Sequence, residues 1–149
     1  MQDIKELIAG YKTFLEEDFP EHEDAYRKFA EEGQAPKVMM IGCSDSRVNP
    51  DLIFNTGPGE VFAVRNVANL VPPYEEQGDY HGTSAALEFA VTELKVEHIV
   101  IMGHAQCGGI TACIHGAQKG PIGRPFVDAW VSIAKDAAQV VLDRLGAGA

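Results

Sequence analysis

The stretch Lys37–Arg47, K-V-M-M-I-G-C-S-D-S-R, decides how this chain reads. A short apolar run, Val38 to Ile41, stops at Gly42 and leads straight into Cys43, Asp45 and Arg47. A second stretch repeats the plan: His98–Gly103, H-I-V-I-M-G, is followed by His104, Ala105, Gln106, Cys107, Gly108 and Gly109. Each is a continuous apolar run of strand length, the pattern of a strand buried inside a parallel sheet. Open α/β sheets carry their sites at the carboxyl ends of strands. Two such ends, side by side, bring Cys43, His104 and Cys107 together.

Working outward, Ile4, Leu7, Ile8, Tyr11, Phe14, Leu15 and Phe19 recur at spacings of three and four, one apolar stripe of a helix over residues 2–19. The segment Asp18 to His22 breaks it around Pro20, and helical spacing resumes over 23–32 with Tyr26 and Phe29 until Gly33. This arm either folds back on the chain's own sheet or packs against a partner subunit. Downstream, Pro50 opens a helical turn over 49–53, and T-G-P-G at 56–59 is turn chemistry. V-F-A-V within 60–65 is a second buried strand. A loop at 71–82 leads to a helix over 82–94, with Thr83 or Ser84 as its N-cap. Strand 98–102 follows, then a helix over 108–115, a Gly/Pro loop at 116–125, and a final helix over 125–145. That last helix turns Phe126, Trp130, Ile133, Ala137, Val140, Val141 and Leu145 inward, and the tail, G-A-G-A, offers nothing to bury. The expected fold class is α/β: a parallel sheet flanked by helices, covered on both faces, with a helical N-terminal arm. Residues 1–149 read as a single domain, 1–35 the arm and 36–149 the α/β core.

Composition bounds the function. The chain has 149 residues, enough for one domain with a core. A net charge of −10 leaves no basic stripe to neutralise phosphates, which argues against nucleic acid. No window has the apolar length of a membrane span. The acidic, amphipathic N-terminus lacks the pattern of a secretory leader, so a cytoplasmic location is the default. Three cysteines, an odd count without framework spacing, fit thiols used for metal binding or catalysis.

Zinc favours thiolate and imidazole in a tetrahedral shell, and three protein ligands with an open fourth position mark a catalytic site. Cys43, His104 and Cys107 supply that set. Cys107 precedes a helix, where a thiolate is favoured. The plainer reading makes both cysteines small core residues and His104 a hydrogen-bonded surface imidazole. Asp45 and Arg47 sharpen the picture in one of three ways. Asp45 is a fourth ligand that closes the site, or Arg47 holds it off the metal, or the two are an ordinary loop ion pair. Cys113 reads as core. His81, His22, His98 and His115 are titratable near neutrality and so candidate proton carriers, His81 foremost.

Four segments together resemble the β-class carbonic anhydrases, in particular the plant-like subgroup: C-S-D-S-R-V at 43–48, R-N-V-A-N-L-V-P-P-Y at 65–74, G-T-S-A-A-L-E at 82–88 and G-H-A-Q-C-G-G at 103–109. The likeness runs from about Gly33 through Trp130. It implies reversible hydration of CO₂ to bicarbonate and a proton by zinc-bound hydroxide, with one Zn²⁺ per chain. Cys43, His104 and Cys107 would be the metal ligands, and Asp45 and Arg47 a catalytic dyad. Gln34 would reach substrate across a homodimer or higher homo-oligomer, and Phe62, Val67, Phe89 and Gly108 would line the pocket. Plant-like members often carry tyrosine where Phe89 stands. The resemblance also implies several dozen further residues beyond the Trp130 helix, including a strand, so this core is expected to lack the usual C-terminal extension and to leave a sheet edge unpaired. Two alternatives stay open: hydrolysis of carbonyl sulfide or carbon disulfide on the same scaffold, and a non-catalytic zinc-binding assembly module.

Overall fold

The structure is a computed structural model and describes residues 3–78 and 80–146; residues 147–149 of the expected tail lie outside the described residues. Three parallel strands form one sheet in the order β2-β1-β3: β1 is Val38–Cys43, β2 Val61–Asn66 and β3 His98–Met102. β1 is central, pairing Val38 with Val61 on one side and with His98 on the other. This parallel order is what the apolar runs predict, and it sets the ends of β1 and β3 next to each other.

The core lies where the middle strand meets one helix. Met39 and Ile41 of β1 pack with Ala90 of α4 (Gly82–Thr92), and Phe62, Val64, Ala86 and Leu87 close around them. Burial is less even than the sequence implies. β2 is only partly buried, and in β3 Ile99 and Ile101 remain 47% and 56% exposed. The reason is topological: β1 has a neighbour on each side, β3 is an edge, and α4 covers the β1–β2 half of the sheet. The expectation of a sheet covered on both faces is therefore corrected for this chain.

The arm runs as α1 (Ile4–Thr13), a wider helical turn at Phe14–Asp18, and α2 (Phe19–Glu32). The break expected around Pro20 is not a break. Phe19 N–H reaches back to Phe14 O, five residues away, and Pro20 sits in the first turn of α2, where its missing N–H costs least. Phe14, Phe19 and Tyr26 pack on one another, with Phe19 and Tyr26 ring centroids 5.4 Å apart. At its C-terminal end the arm meets the core, Phe29 lying over Gly59, whose φ of +78° and lack of a side chain admit the ring. α1, by contrast, buries nothing: Ile4, Leu7 and Ile8 are 65%, 54% and 51% exposed.

α3 (Pro50–Phe54) begins at Pro50 as the sequence implies, capped by Asn49 Oδ1. The N-cap of α4 is His81, not Thr83 or Ser84; Thr83 is buried and accepts a hydrogen bond from Asn66 instead. α5 (Gly108–Lys119) follows β3. The last helical stretch divides into α6 (Pro125–Val131), a single tighter turn at Ser132–Ala134, and α7 (Lys135–Leu145). Val131 and Leu142 are its buried residues, while Phe126, Val140, Val141 and Leu145, expected inward, are exposed. No helix among the described residues is long and apolar enough to cross a membrane.

Candidate metal centre

β1 ends on Cys43; β3 ends on Met102, which places His104 two residues beyond its end; and Cys107 is the N-cap of α5. Because Gly42 pairs with Met102 across the sheet, these three positions converge. One Sγ from each cysteine and a ring nitrogen of His104 lie within 4.8 Å of one another, and the two sulfurs are 3.9 Å apart. Both cysteines are buried, and Ala68, Val48 and Leu70 pack around them.

The donor set fits zinc. Two thiolates bound tetrahedrally at about 2.3 Å stand about 3.8 Å apart, which matches the observed sulfur separation. His104 Nδ1 lies 3.0 Å from Ala105 O and donates to it, which turns the other ring nitrogen's lone pair toward the sulfurs. That atom, His104 Nε2, is buried with no hydrogen-bond partner among the described residues, a costly arrangement unless a cation meets it. Burial pushes the Cys43 thiol up, but the Asp45 and Ala68 backbones and the neighbouring His104 and Cys107 side chains outweigh it. Together they bring Cys43 from 9.0 to about 7, toward the thiolate that a metal requires. The plainer reading, with His104 as a surface imidazole, does not describe this ring, whose side chain is 8% exposed.

Asp45 does not close the site. Arg47 engages both its oxygens, Nε to Oδ1 at 2.9 Å and Nη2 to Oδ2 at 2.8 Å, and Arg47 N–H adds a third bond to Oδ1 at 3.0 Å. Arg47 is itself tied to Gln106 O at 3.2 Å, on the loop between His104 and Cys107. The Arg47 hydrogen bonds hold the Asp45 carboxyl well below the usual carboxylate range, so it is ionised at any ordinary pH. Asp45 Oδ2 stands 4.0 Å from His104 Nε2, beside the ligand cluster rather than in it.

Sequence reading missed the frame around these residues. Ala68 and Asn69 adopt left-handed backbone angles, φ +67° and +47°. Asn66 clamps this turn, accepting from Leu70 N–H and donating to Leu70 O, both at 2.8 Å. Gly109 lies against it: a Cβ there would stand 2.8 Å from both Ala68 Cβ and Val67 Cγ1. Arg65, noticed only as part of a motif, donates to the carbonyls of Cys43 and Asp45. An alanine in a left-handed turn has no local signature, so only the fold reveals it.

The expected pocket residues fall in separate parts of one chain. Phe62 and Phe89 are neighbours, their ring centroids 5.8 Å apart. Gln34 and Phe89 line a hollow under the arm with Tyr26, Phe29 and Leu94, which contains none of the three ligands. Val67 faces a separate groove with Phe126 and Trp130, where Trp130 Nε1 donates to Val67 O at 2.7 Å. Gly108 opens α5 directly after Cys107. His81 is exposed at the start of α4.

Comparison with known proteins follows the same lines. Residues 38–148 match the family model described as carbonic anhydrase. A carbonic anhydrase of Synechococcus elongatus is 37% identical over 140 residues, covering 94% of this chain and 50% of the relative. A chloroplastic beta carbonic anhydrase of Arabidopsis thaliana is 42% identical over 137 residues, covering 92% of this chain and 43% of the relative. The chain thus spans about half the length of these curated relatives. Among solved structures, one of two tetrameric β-carbonic anhydrases of Sordaria macrospora superposes with a TM-score of 0.78 at 34% identity, covering 95% of this chain and 67% of that one.

Proposed function

Because the chain belongs to the β-class carbonic anhydrase family, we propose that it hydrates CO₂ reversibly to bicarbonate and a proton, with one zinc ion held by Cys43, His104 and Cys107. The observation that carries this reading is the pairing of Asp45 with Arg47, which leaves three protein donors converging and a fourth direction free of protein ligands. A zinc ion in such a set supplies a Lewis acid that makes water nucleophilic near neutral pH.

The chain's own residues do the rest. Asp45, kept ionised by Arg47, offers Oδ2 as an acceptor beside His104 and orients the attacking water by taking a hydrogen bond from it. Arg47 prevents that oxygen from turning into the ligand cluster. CO₂ is apolar, so Phe62, Val67 and Phe89 serve as walls, and the Gln34 amide donates to a CO₂ oxygen. Gln34 and Phe89 lie away from the ligands of their own chain, and we assign them to the pocket of a second copy. The bare apolar stripe of α1 supports a homodimer or a larger assembly, as does the tetrameric relative. In this reading residues 1–149 form one domain, arm 1–35 and core 36–149, working in the cytoplasm.

The test is metal analysis together with stopped-flow CO₂ hydration on the zinc-loaded protein, before and after removal of zinc with a chelator. One zinc per chain and hydration that disappears with the metal is the expected result. Zinc without hydration would leave a binding or assembly module, and faster turnover of carbonyl sulfide or carbon disulfide would move the substrate elsewhere.

A further inference from the structure

We propose that Arg65 is a positioning residue of the metal centre, its guanidinium spanning the carbonyls of Cys43 and Asp45 so that one metal ligand and the catalytic carboxylate are set by a single fork from the neighbouring strand. The inference rests on the function proposed above and extends it to a residue outside the ligand set and the dyad.

The geometry is specific. Arg65 Nε donates to Cys43 O at 2.9 Å and Nη2 to Asp45 O at 2.7 Å. Both acceptors are main-chain oxygens on the turn where β1 ends, one on each side of Ser44. The side chain arrives from β2, where Arg65 pairs with Gly42, and its stem passes beside that glycine: a Cβ there would be 3.8 Å from Arg65 Cγ. Among the described residues no carboxylate lies within ion-pair distance of Arg65. Its charge is therefore directed at peptide oxygens. A planar guanidinium with donors at fixed separation suits two carbonyls held at a fixed angle.

What those two peptides carry explains why their orientation matters. The Cys43 carbonyl adjoins the Cα that carries the metal-facing sulfur, and the Asp45 carbonyl adjoins the Cα that carries the carboxylate. The Asp45 side chain leaves the same residue toward Arg47 and His104. The Ser44 N–H, on the other side, is bound by Asn66 O at 2.9 Å, the residue that follows Arg65. Arg65 and Asn66 thus hold the turn from one strand, while Arg47 holds the carboxylate. The division of labour is clear: Arg47 aims the Asp45 side chain, and Arg65 aims its backbone. Groups that orient metal ligands from outside typically change metal affinity or activity about 10- to 100-fold when removed.

Arg65→Gln and Arg65→Lys provide the test, with Lys37→Gln as a control that breaks a surface ion pair away from the centre. Zinc affinity is read by competition with a chromophoric chelator, the thiolate geometry by the sulfur-to-metal charge-transfer band of the cadmium-substituted protein, and folding by circular dichroism and Tm. We expect Arg65→Gln to bind zinc at least about tenfold more weakly with a shifted band. Arg65→Lys, which keeps the charge on a single nitrogen, should be weakened less but still shifted. Lys37→Gln should leave affinity and band alone whatever its Tm. If Arg65→Gln fails to fold, Arg65→Lys decides. A fall in Tm with unchanged affinity and band in the Arg65 variants would make Arg65 merely structural and overturn the proposal. Absence of CO₂ hydration in the zinc-loaded parent protein would sink the proposed function instead, while the affinity and band still judge Arg65.

Discussion

Asp45 accepts at both carboxylate oxygens from Arg47, at 2.9 and 2.8 Å, while its Oδ2 also stands 4.0 Å from His104 Nε2, which has no hydrogen-bond partner among the described residues. One carboxylate is thus shared between a guanidinium that restrains it and a ligand cluster it adjoins but does not enter. Two predictions follow directly from that placement.

Asp45→Asn keeps the shape of the side chain and removes its charge. Zinc content should stay at the parent level while CO₂ hydration falls by about 10²-fold or more, the scale of a lost positioned proton acceptor. Metal analysis and stopped-flow hydration on the same sample check it. An unchanged rate would remove Asp45 from the mechanism.

Arg47→Ala frees the carboxylate without discharging it. Asp45 is then drawn to the cation as a fourth protein ligand, so hydration should be lost although zinc is bound at least as tightly as before. Chelator competition separates this from simple damage to the site, which would weaken binding.

Gly109→Ala drives a methyl group into the Val67–Ala68 turn, 2.8 Å from two carbon atoms. Ala68 has no room to give, since it is fully buried and already holds a φ of +67°. Overpacking of this kind costs about 1–3 kcal/mol, which thermal melting reads as a loss of several degrees in Tm. Because the turn touches Cys43 and Cys107, zinc affinity should fall as well.

Lys37 Nζ bonds Glu97 Oε1 at 2.6 Å and holds the Glu97 carboxyl below its ordinary range. A carboxylate lowered on folding adds stability that is fully present above its unfolded pKa, about 4.3, and is lost as the pH falls through the lower folded value. Both side chains are largely exposed, so the effect is small. Glu97→Gln should therefore lower Tm slightly at pH 7 to 8 and converge with the parent as the pH falls below about 3, which flattens the decline in between.

The stripe of Ile4, Leu7, Ile8 and Tyr11 is more than half exposed at every position, on a helix that buries nothing in its own chain. Sedimentation should give a dimer or larger species, and Leu7→Glu with Ile8→Lys should shift it toward monomer. A monomeric parent protein would leave the arm without the partner assigned to it.

What could be read in the linear chain was whatever local pattern determines. Apolar runs of strand length identified β1 and β3, Pro50 marked the start of α3, and cysteine and histidine placed at or just beyond strand ends marked the cluster that could hold a metal. These depend on spacing and side-chain chemistry that neighbours in sequence already possess. The N-cap of α4 was misjudged because Thr83 is bound by Asn66, a partner 17 residues away.

Tertiary structure alone decided the state of the site. Whether Asp45 joins the ligands or stays with Arg47 depends on where the Gln106 carbonyl anchors Arg47, 59 residues along the chain. The left-handed Ala68 turn, the glycine that must lie against it and the Arg65 fork across Cys43 and Asp45 all depend on strand register and helix placement. Sequence named the candidate metal donors because their chemistry is intrinsic to the residue. Their geometry had to await the fold, because each is held by hydrogen bonds between segments that only packing brings together.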